Sequence, residues 1–370
     1  MELYYAIHLL VFFCLAFEFS RNIKLKLNVI KCLMLFFVLF GGLRWEIGND
    51  WEQYRMLFEH LSWDNFLSFD RYGNGGEKLE PGFALANVLV KSIFGTRFYI
   101  YNIILQIFIQ YTYYIFSKEF SPKRPLLIYA FLMVLRPNYF AVRAGFAISI
   151  LFWAYKYIRD QNLKKFLIVV LLASSVHFQC LVLIPFYWAG RIKISFFIYS
   201  MIFWSFAALG YLYRDYFIVL ASFASGDIGE KLAFYTSYTN DGVAGYKILS
   251  SFTNYFFIIN FFYVKKYIRK DKEHWYYALL NMCLVFNAFL AIFSEEMTEL
   301  VRLAIAFFPA YIILLVNAFN TYLDSNKMKI ICILFICVFY LYKLPQPFYS
   351  LYFEETCVPY KTIFNFHNIN

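Results

Sequence analysis

Arginine, histidine and carboxylate side chains stand beside long apolar segments of this sequence, where they could act on an anionic substrate. Arg143 and His177 are embedded in apolar sequence, and an ionisable group in that setting tends to face a cavity and to carry a task. An arginine suits a phosphate because its planar fork donates parallel hydrogen bonds and stays charged. A nearby carboxylate or histidine could take a proton from a sugar hydroxyl. These residue types therefore predict a diphosphate-bearing ligand.

The candidate residues come from separate stretches of the chain. GGLRWEIGNDWEQY contains an arginine, an aspartate and a tyrosine, a glutamate precedes Pro81, and RPNYFAVR holds two arginines around a tyrosine. Further candidates are the histidine of SSVHF, the arginine of SEEMTELVR and two later tyrosines. The four candidate tyrosines, Tyr54, Tyr139, Tyr235 and Tyr238, could stack on sugar rings. In chain order the candidates are Arg44, Asp50, Tyr54, Glu80, Arg136, Tyr139, Arg143, His177, Tyr235, Tyr238 and Arg302.

Each candidate also has a plainer interpretation, which the sequence leaves open. Arg143 could be an arginine that extends from the end of a span to the membrane interface. His177 could bond a backbone carbonyl in a hairpin, and Asp50 could cap the helix that follows it. Glu80 could likewise be a capping or interfacial charge. Arg44 and Arg302 could form structural ion pairs with Glu46 and Glu299. The sequence alone does not decide between a structural and a functional role.

Several kinds of chemistry have no motif in this sequence. It contains no GxxxxGK[ST] loop to bind nucleotide phosphates, no HExxH or CxxC pair to bind a metal, and no GxSxG turn to present a nucleophilic serine. ATP, zinc and acyl-serine chemistry are therefore unsupported.

The composition places these residues in a membrane protein. Of 370 residues, 62% are hydrophobic and 16% charged, whereas soluble domains are about half apolar and a quarter charged. At about 20 residues a crossing, the apolar sequence suffices for roughly ten to twelve spans. We therefore predict an all-α polytopic membrane protein with a single transmembrane domain over residues 1–370. Apolar runs of helical length cover residues 3–20, 27–43, 98–116, 125–141, 142–158, 164–190, 194–213, 248–264, 275–293, 300–319 and 329–345.

Basic residues predict how the spans are oriented, because cytoplasmic loops collect Lys and Arg. The basic connections fall on one side only if residues 82–95 do not cross and residues 164–190 cross twice. We predict about 12 crossings, two of them short and meeting near His177, with both termini outside. Residues 82–95 are then a re-entrant or interfacial helix. Basic inner loops account for the net charge of +10.

Three segments are predicted to lie outside, namely loops 44–81 and 213–247 and a tail over residues 346–370. The first loop has the apolar spacing of an amphipathic helix around Tyr54 and Leu57. All of the candidate residues fall on this outer face. The outer loops and the outer ends of the spans must therefore bring them together.

Four stretches resemble the motif series of the EpsG and Wzy-type bacterial polysaccharide polymerases. These are RWEIGNDWEQY, the Glu-Pro-Gly sequence at residues 80–82, VRAGFAISI and SSVHFQCLVLIPFY, with a weaker match in ELVRLAIAFFPAY. The resemblance covers about residues 40–190. The family usually has Gln after the central arginine, where this chain has Ala144. That difference affects the hydrogen bonding expected around Arg143.

The resemblance implies a GT-C-like glycosyltransferase in the bacterial inner membrane, with its site facing the periplasm. Similar enzymes transfer a glycan from undecaprenyl diphosphate to another lipid-linked repeat unit. Arg143 would bind the donor diphosphate, assisted by Arg44, Arg136 and Arg302. No cofactor, metal or nucleic acid is implied. The expected partners are the lipid-linked donor and acceptor, membrane lipid and a chain-length regulator protein.

The resemblance also implies roles for the remaining polar residues. Asp50 or His177 would orient or deprotonate the acceptor hydroxyl, and Glu80 would hold the sugar or one of the arginines. Two other functions stay open at this point. A ligase would share the donor and differ in its acceptor, whereas a flippase for lipid-linked oligosaccharides should carry charges deep within several spans. An acyltransferase is less compatible, because only one mid-chain histidine faces outward.

Overall fold

The computed structural model shows a helical protein. It describes residues 1–48, 50–69, 78–135, 140, 142–212, 255, 258–265, 268, 270–293, 303–324, 329–343 and 356–365. The described residues contain no β-strand, and Arg44 and Thr362 form an isolated antiparallel bridge. The predicted all-α class is therefore confirmed.

Helices follow the apolar runs of the sequence closely. The α-helices are α1 (Glu2–Cys14), α2 (Ile23–Gly42), α3 (Trp51–His60), α4 (Pro81–Phe94), α5 (Phe98–Phe120), α6 (Pro125–Leu135), α7 (Arg143–Arg159), α8 (Leu163–Val176), α9 (Phe196–Leu212), α10 (Glu273–Phe293), α11 (Phe308–Leu323) and α12 (Lys329–Lys343). Shorter or tighter 3-10 helices are Leu15–Phe19, Phe178–Arg191, Lys270–Lys272, Ile305–Phe307 and Ile363–Asn365. Residues 258–264 are also helical.

Two helical stretches are long and apolar enough to cross a membrane alone, Glu2–Phe19 and Ile305–Leu323. The pair α4 and α5, bent by 118°, would be a third if it formed one span. That search covers only the part of the chain that the structure describes, so the count of about 12 crossings stays a prediction. A helix break does occur at His177, where α8 gives way to the 3-10 helix Phe178–Arg191, as the two-segment interpretation of residues 164–190 requires.

The chain packs as two compact units, and the single transmembrane domain over residues 1–370 stays a prediction. The first comprises Met1–Ala154, Ile168–Phe178 and Tyr322–Asn370, and the second Tyr155–Leu167 and Gln179–Thr321. In the second unit, Asn281 accepts a hydrogen bond from the Tyr199 hydroxyl at 2.7 Å and donates to the carbonyl of Ala189 at 2.7 Å. This amide joins α9, α10 and the end of the long 3-10 helix.

A buried ion pair fastens the beginning of the first unit. Lys26 donates to Oε1 of Glu18 at 2.8 Å and to the carbonyl of Lys123 at 2.8 Å. The other carboxylate oxygen of Glu18 accepts from the backbone N–H of Leu127 at 3.0 Å. Both charged residues are only 4% exposed. The pair therefore links the end of the first helical stretch, the start of α2 and the first turn of α6.

The predicted amphipathic helix of the first outer loop is α3. It buries Trp51, Tyr54 and Phe58, and the ring of Tyr54 packs edge-on against Phe83 of α4 at 5.7 Å. Near the other end of α4, Lys91 donates to the carbonyls of Glu59 (2.6 Å) and Leu61 (2.8 Å) at the end of α3. Helix α4 is thus held by contacts with α3 and with the end of α3 near both of its own ends.

Candidate functional site

Glu80 is held between Arg143 and His177 in the first unit. Its Oε2 accepts a hydrogen bond from Nη1 of Arg143 at 2.8 Å. Its Oε1 lies 3.4 Å from Nδ1 of His177. One carboxylate thus keeps a group suited to phosphate binding next to a group suited to proton transfer. We call Glu80, Arg143 and His177 the Glu80 cluster.

Each member of the Glu80 cluster lies at the end of a helix. Glu80 precedes Pro81 and has extended backbone angles, Arg143 is the first residue of α7, and His177 follows the last residue of α8. Glu80 occupies the N-cap position of α4 but makes no capping bond with its side chain. The carboxylate pairs with Arg143 instead, so the capping interpretation does not account for it.

The Glu80 cluster is largely shielded from solvent. The side chains of Arg143, His177 and Glu80 retain 10%, 13% and 18% of their exposure. Burial raises the pKa of the Glu80 carboxyl, but the adjacent His177 and Arg143 outweigh burial and lower that pKa to about 2. Glu80 is therefore ionised near neutral pH, and its charge attracts both neighbours.

His177 turns a buried ring nitrogen towards this carboxylate. At 3.4 Å from Oε1, Nδ1 lacks hydrogen-bond geometry, and it has no hydrogen-bond partner among the described residues. The contact is therefore electrostatic. A negative charge beside Nδ1 favours the tautomer with its proton on that nitrogen. The lone pair then lies on Nε2, which is the arrangement that a general base needs.

Arg44 lies beneath the segment formed by residues 356–365, which we call the C-terminal strap. The strap runs antiparallel to residues 43–48, joined by an Arg44–Thr362 bridge and by backbone hydrogen bonds of 3.0 to 3.1 Å. Only 2% of Arg44 is exposed. Glu46, which the sequence offered as its ion-pair partner, contacts Lys361 of the strap at 3.3 Å.

The guanidinium of Arg44 is surrounded by aromatic residues. It lies 5.3 Å from the centre of the Phe140 ring and close to the hydroxyls of Tyr4, Tyr54 and Tyr360. Burial lowers the pKa of Arg44 to about 10, so the side chain still carries its charge at neutral pH. In this conformation Arg44 is not open to a diphosphate.

Asp50 and Tyr54 belong to α3 and differ in exposure. Asp50 stands at the N-cap position of α3, but its side chain makes no capping bond and is exposed. Tyr54 is 8% exposed because its ring packs against Phe83. In this conformation protein contacts occupy the ring of Tyr54, and it is not open to a sugar.

Comparison with known proteins places the chain in a family. The EpsG family model matches residues 27–362, which is most of the sequence. The chain belongs to the EpsG family. EpsG is a Wzy-like polysaccharide polymerase family, so the protein is a membrane protein with a polysaccharide polymerase-type function, which is a glycosyltransferase-type activity. No curated protein and no solved structure matches the chain significantly.

The EpsG match extends well beyond the motifs seen in the sequence. Those motifs cover about residues 40–190, whereas the match includes the whole Glu80 cluster, Arg44 and the strap as far as Thr362. The resemblance to EpsG and Wzy-type proteins is therefore confirmed at the level of the family. Five candidates for the EpsG site fall outside the described residues: Arg136, Tyr139, Tyr235, Tyr238 and Arg302.

Two features of the site in this EpsG protein were not predicted from its sequence. Ser175 was treated only as part of the SSVHF segment, yet it contacts Gly82 where α4 meets α8. The strap was treated only as a tail, yet it covers Arg44. The Glu-Pro-Gly motif was an available signal for the first feature, because a glycine next to a helix start permits a close backbone approach. No local signal indicated the second.

Proposed function

We propose that this EpsG-family protein polymerises repeat units linked to undecaprenyl diphosphate, at the outer face of the bacterial inner membrane. The observation that supports this proposal is the Glu80 cluster, in which a carboxylate contacts both a guanidinium and an imidazole. Those two groups match the two needs of the reaction. The departing diphosphate needs a fixed positive charge, and the attacking hydroxyl needs a base.

The proposed reaction is a displacement at the anomeric carbon of the donor glycan. A hydroxyl oxygen of the acceptor forms the new glycosidic bond, and the bond from the anomeric carbon to the diphosphate oxygen breaks. The diphosphate leaves with the bonding electron pair, and the hydroxyl proton passes to Nε2 of His177. The energy needed for the transfer is held in the glycosyl diphosphate bond of the donor.

Arg143 would bind the diphosphate and stabilise it as a leaving group. The hydrogen bond from Nη1 to the Glu80 carboxylate orients the guanidinium fork. Glu80 also compensates the charge of Arg143 before substrate binds, which reduces the cost of holding an arginine at 10% exposure.

His177 is the better candidate for the general base than Asp50. The imidazole is within the Glu80 cluster, whereas Asp50 is exposed on α3. A carboxylate beside Nδ1 both fixes the tautomer and stabilises the imidazolium that forms when Nε2 takes a proton. We therefore assign proton transfer to His177 and orientation to Glu80.

Complementation of a deletion strain that makes a long-chain surface glycan tests this assignment. Arg143→Ala and His177→Ala, once shown to accumulate in the membrane, should abolish the ladder of chain lengths on a gel and leave a single capped repeat unit. The matched controls are Arg55→Ala and His60→Ala, since His60 is exposed on α3 and Arg55 is a half-buried residue of α3 that also contacts carboxylates. They should leave the ladder intact.

Other outcomes of the same experiment would contradict the proposal. Unchanged chain lengths in the deletion strain would exclude polymerisation. Normal chains that remain unattached to their final acceptor would indicate a ligase, and precursor retained on the inner face would indicate a flippase.

A further inference from the structure

Gly82 of α4 and Ser175 of α8 meet at a contact that only glycine permits. A Cβ atom placed on Gly82 would lie 2.8 Å from the carbonyl oxygen of Ser175 and 2.9 Å from its carbonyl carbon, and nearer still to Oγ. Real Cβ atoms essentially never come within 3.0 Å of a heavy atom in a residue distant along the chain. Because two of these three neighbours are backbone atoms, a side-chain rotation cannot relieve the clash.

The glycine at this position serves the close approach itself. Gly82 is the second residue of α4 and does not have the positive φ angle that would favour glycine for its backbone conformation. On the opposite side, the hydroxyl of Ser175 donates to the carbonyl of Leu172 at 2.8 Å, which holds the side chain against its own helix. The contact is therefore formed by Gly82 on the α4 side and by the backbone and hydroxyl of Ser175 on the α8 side.

The contact between Gly82 and Ser175 is close in sequence to both Glu80 and His177. Glu80 precedes Gly82 by two positions, and His177 follows Ser175 by two positions. We propose that Gly82 is a positioning residue, whose contact with Ser175 sets the separation between the Glu80 carboxylate and the His177 ring. This inference rests on the proposed function, because it assigns Gly82 to the same proton transfer. Gly82 itself touches no reacting group.

Replacing Gly82 by alanine should separate α4 from α8 and lengthen the 3.4 Å contact between Glu80 and His177. A displacement of about 1 Å can lower a rate by about 100-fold, so we expect kcat to fall by about 10- to 100-fold. The KM for the lipid-linked donor should rise as well, because the Glu80 carboxylate that orients the Arg143 fork moves with α4. An unchanged kcat in Gly82→Ala would overturn the inference.

A double-mutant cycle distinguishes positioning from general damage. If Gly82 acts through Glu80, the variant Glu80→Gln/Gly82→Ala is no slower than Glu80→Gln alone. If the rate losses of Gly82→Ala and Glu80→Gln multiply in the double variant, the inference is overturned. Ser175→Gly removes Oγ, so the double variant Gly82→Ala/Ser175→Gly should recover part of the rate that Gly82→Ala loses. The same double variant replaces Gly82→Ala in the cycle if Gly82→Ala alone does not accumulate in the membrane.

Gly42→Ala is the matched control. A Cβ on Gly42 would lie 2.7 Å from Cγ1 and 2.9 Å from Cα of Ile103, so this variant overpacks the contact between α2 and α5 instead. Any loss that it causes should multiply with that of Glu80→Gln. If Gly42→Ala also caused no further loss of rate in the Glu80→Gln background, the double-mutant cycle would reflect general damage to the protein. The inference would then fail.

Thermal unfolding in detergent tests the positioning without a glycan substrate. Glu80 is favoured as a carboxylate by its neighbours in the folded state, so its stabilising effect is lost on acidification. Gly82→Ala and Glu80→Gln should both reduce the fall in Tm between pH 6 and pH 3, and Gly42→Ala should not. If this pattern holds while Glu80→Gln polymerises normally, the positioning stands and the proposed function fails. If the pattern is absent, the positioning fails whatever the ladder shows.

Discussion

Two carboxylates of the first unit show how neighbours decide the role of a charged side chain. Glu18 is matched by the Lys26 ammonium and by the N–H of Leu127, a set of contacts that fastens three elements. Glu80 contacts an arginine in a similar way, but its second oxygen faces an imidazole nitrogen that has no hydrogen bond to any described residue. Both carboxylate oxygens of Glu18 accept hydrogen bonds from protein groups. The Glu80 cluster retains an imidazole that can still act on a substrate.

At the residue scale, we predict how the Glu80 cluster responds to acid. The folded-state pKa of Glu80 is about 2, below the ordinary value of 4.5. Its contribution to stability is therefore complete above about pH 5 and is lost as the pH falls towards 2. Glu80→Gln should lower the free energy of unfolding by about 1–3 kcal/mol at pH 7. The difference from the unmodified protein should shrink steadily below pH 5.

Denaturant unfolding in detergent, repeated between pH 7 and pH 3, measures this difference. Glu52→Gln is a suitable control, because the Glu52 pair with Arg55 is exposed and should contribute little at any pH. A difference between Glu80→Gln and the unmodified protein that stayed constant down to pH 3 would contradict the prediction.

At the element scale, helix α4 is apolar but too short to cross a membrane by itself. It has 14 residues, whereas a full span needs about 20. Its start carries Glu80, which contacts Arg143 and His177, and its last turns carry Lys91, which caps the end of α3. Under the predicted topology all of these partners belong to the outer face. The contacts favour a re-entrant or interfacial helix for residues 82–95.

Cysteine labelling of intact cells from outside should therefore reach both ends of α4. We predict that Lys78→Cys and Thr96→Cys, which replace exposed residues on either side of the helix, both react with a membrane-impermeant maleimide. Lys123→Cys, on a predicted inner loop and 75% exposed, should react only after the cells are permeabilised. The unmodified protein gives the background from native cysteines. Reaction at only one end of α4 would show that it crosses the membrane.

At the scale of the whole molecule, the C-terminal strap brings together parts of the chain that are far apart in sequence. The hydroxyl of Tyr4 donates to the carbonyl of Cys357 at 2.5 Å, and the ring of Tyr360 stacks on Phe40 at 4.4 Å. The strap therefore holds the start of α1, the end of α2 and the Arg44 loop. It also places residues 4 and 357 on the same side of the first unit, which fits a topology in which both lie outside.

A chain that ends at residue 355 should lose this support. Without the strap, residues 43–48 lose their backbone partner, and the buried Arg44 becomes exposed. We predict a fall in Tm of several degrees, the change that a loss of about 1–2 kcal/mol produces, together with a shortened glycan ladder. Phe364→Ser, which alters a residue of the strap that is 73% exposed, is the control and should change neither readout. An unaltered Tm after truncation would show that the strap is not a structural element.

The sequence alone determined the class of this protein and the position of nearly every helix that the structure describes. Hydropathy acts within a stretch of about 20 residues, so apolar runs and the break at His177 could be located without the fold. The Glu80, Arg143 and His177 positions were also found by residue type, since charges beside apolar spans are costly. Their grouping and the burial of Arg44 required the tertiary structure. Side chains 63 or more positions apart meet only because a glycine lets α4 approach α8 and because the strap returns to residues 43–48. Such contacts depend on distances between helices, which no local pattern encodes.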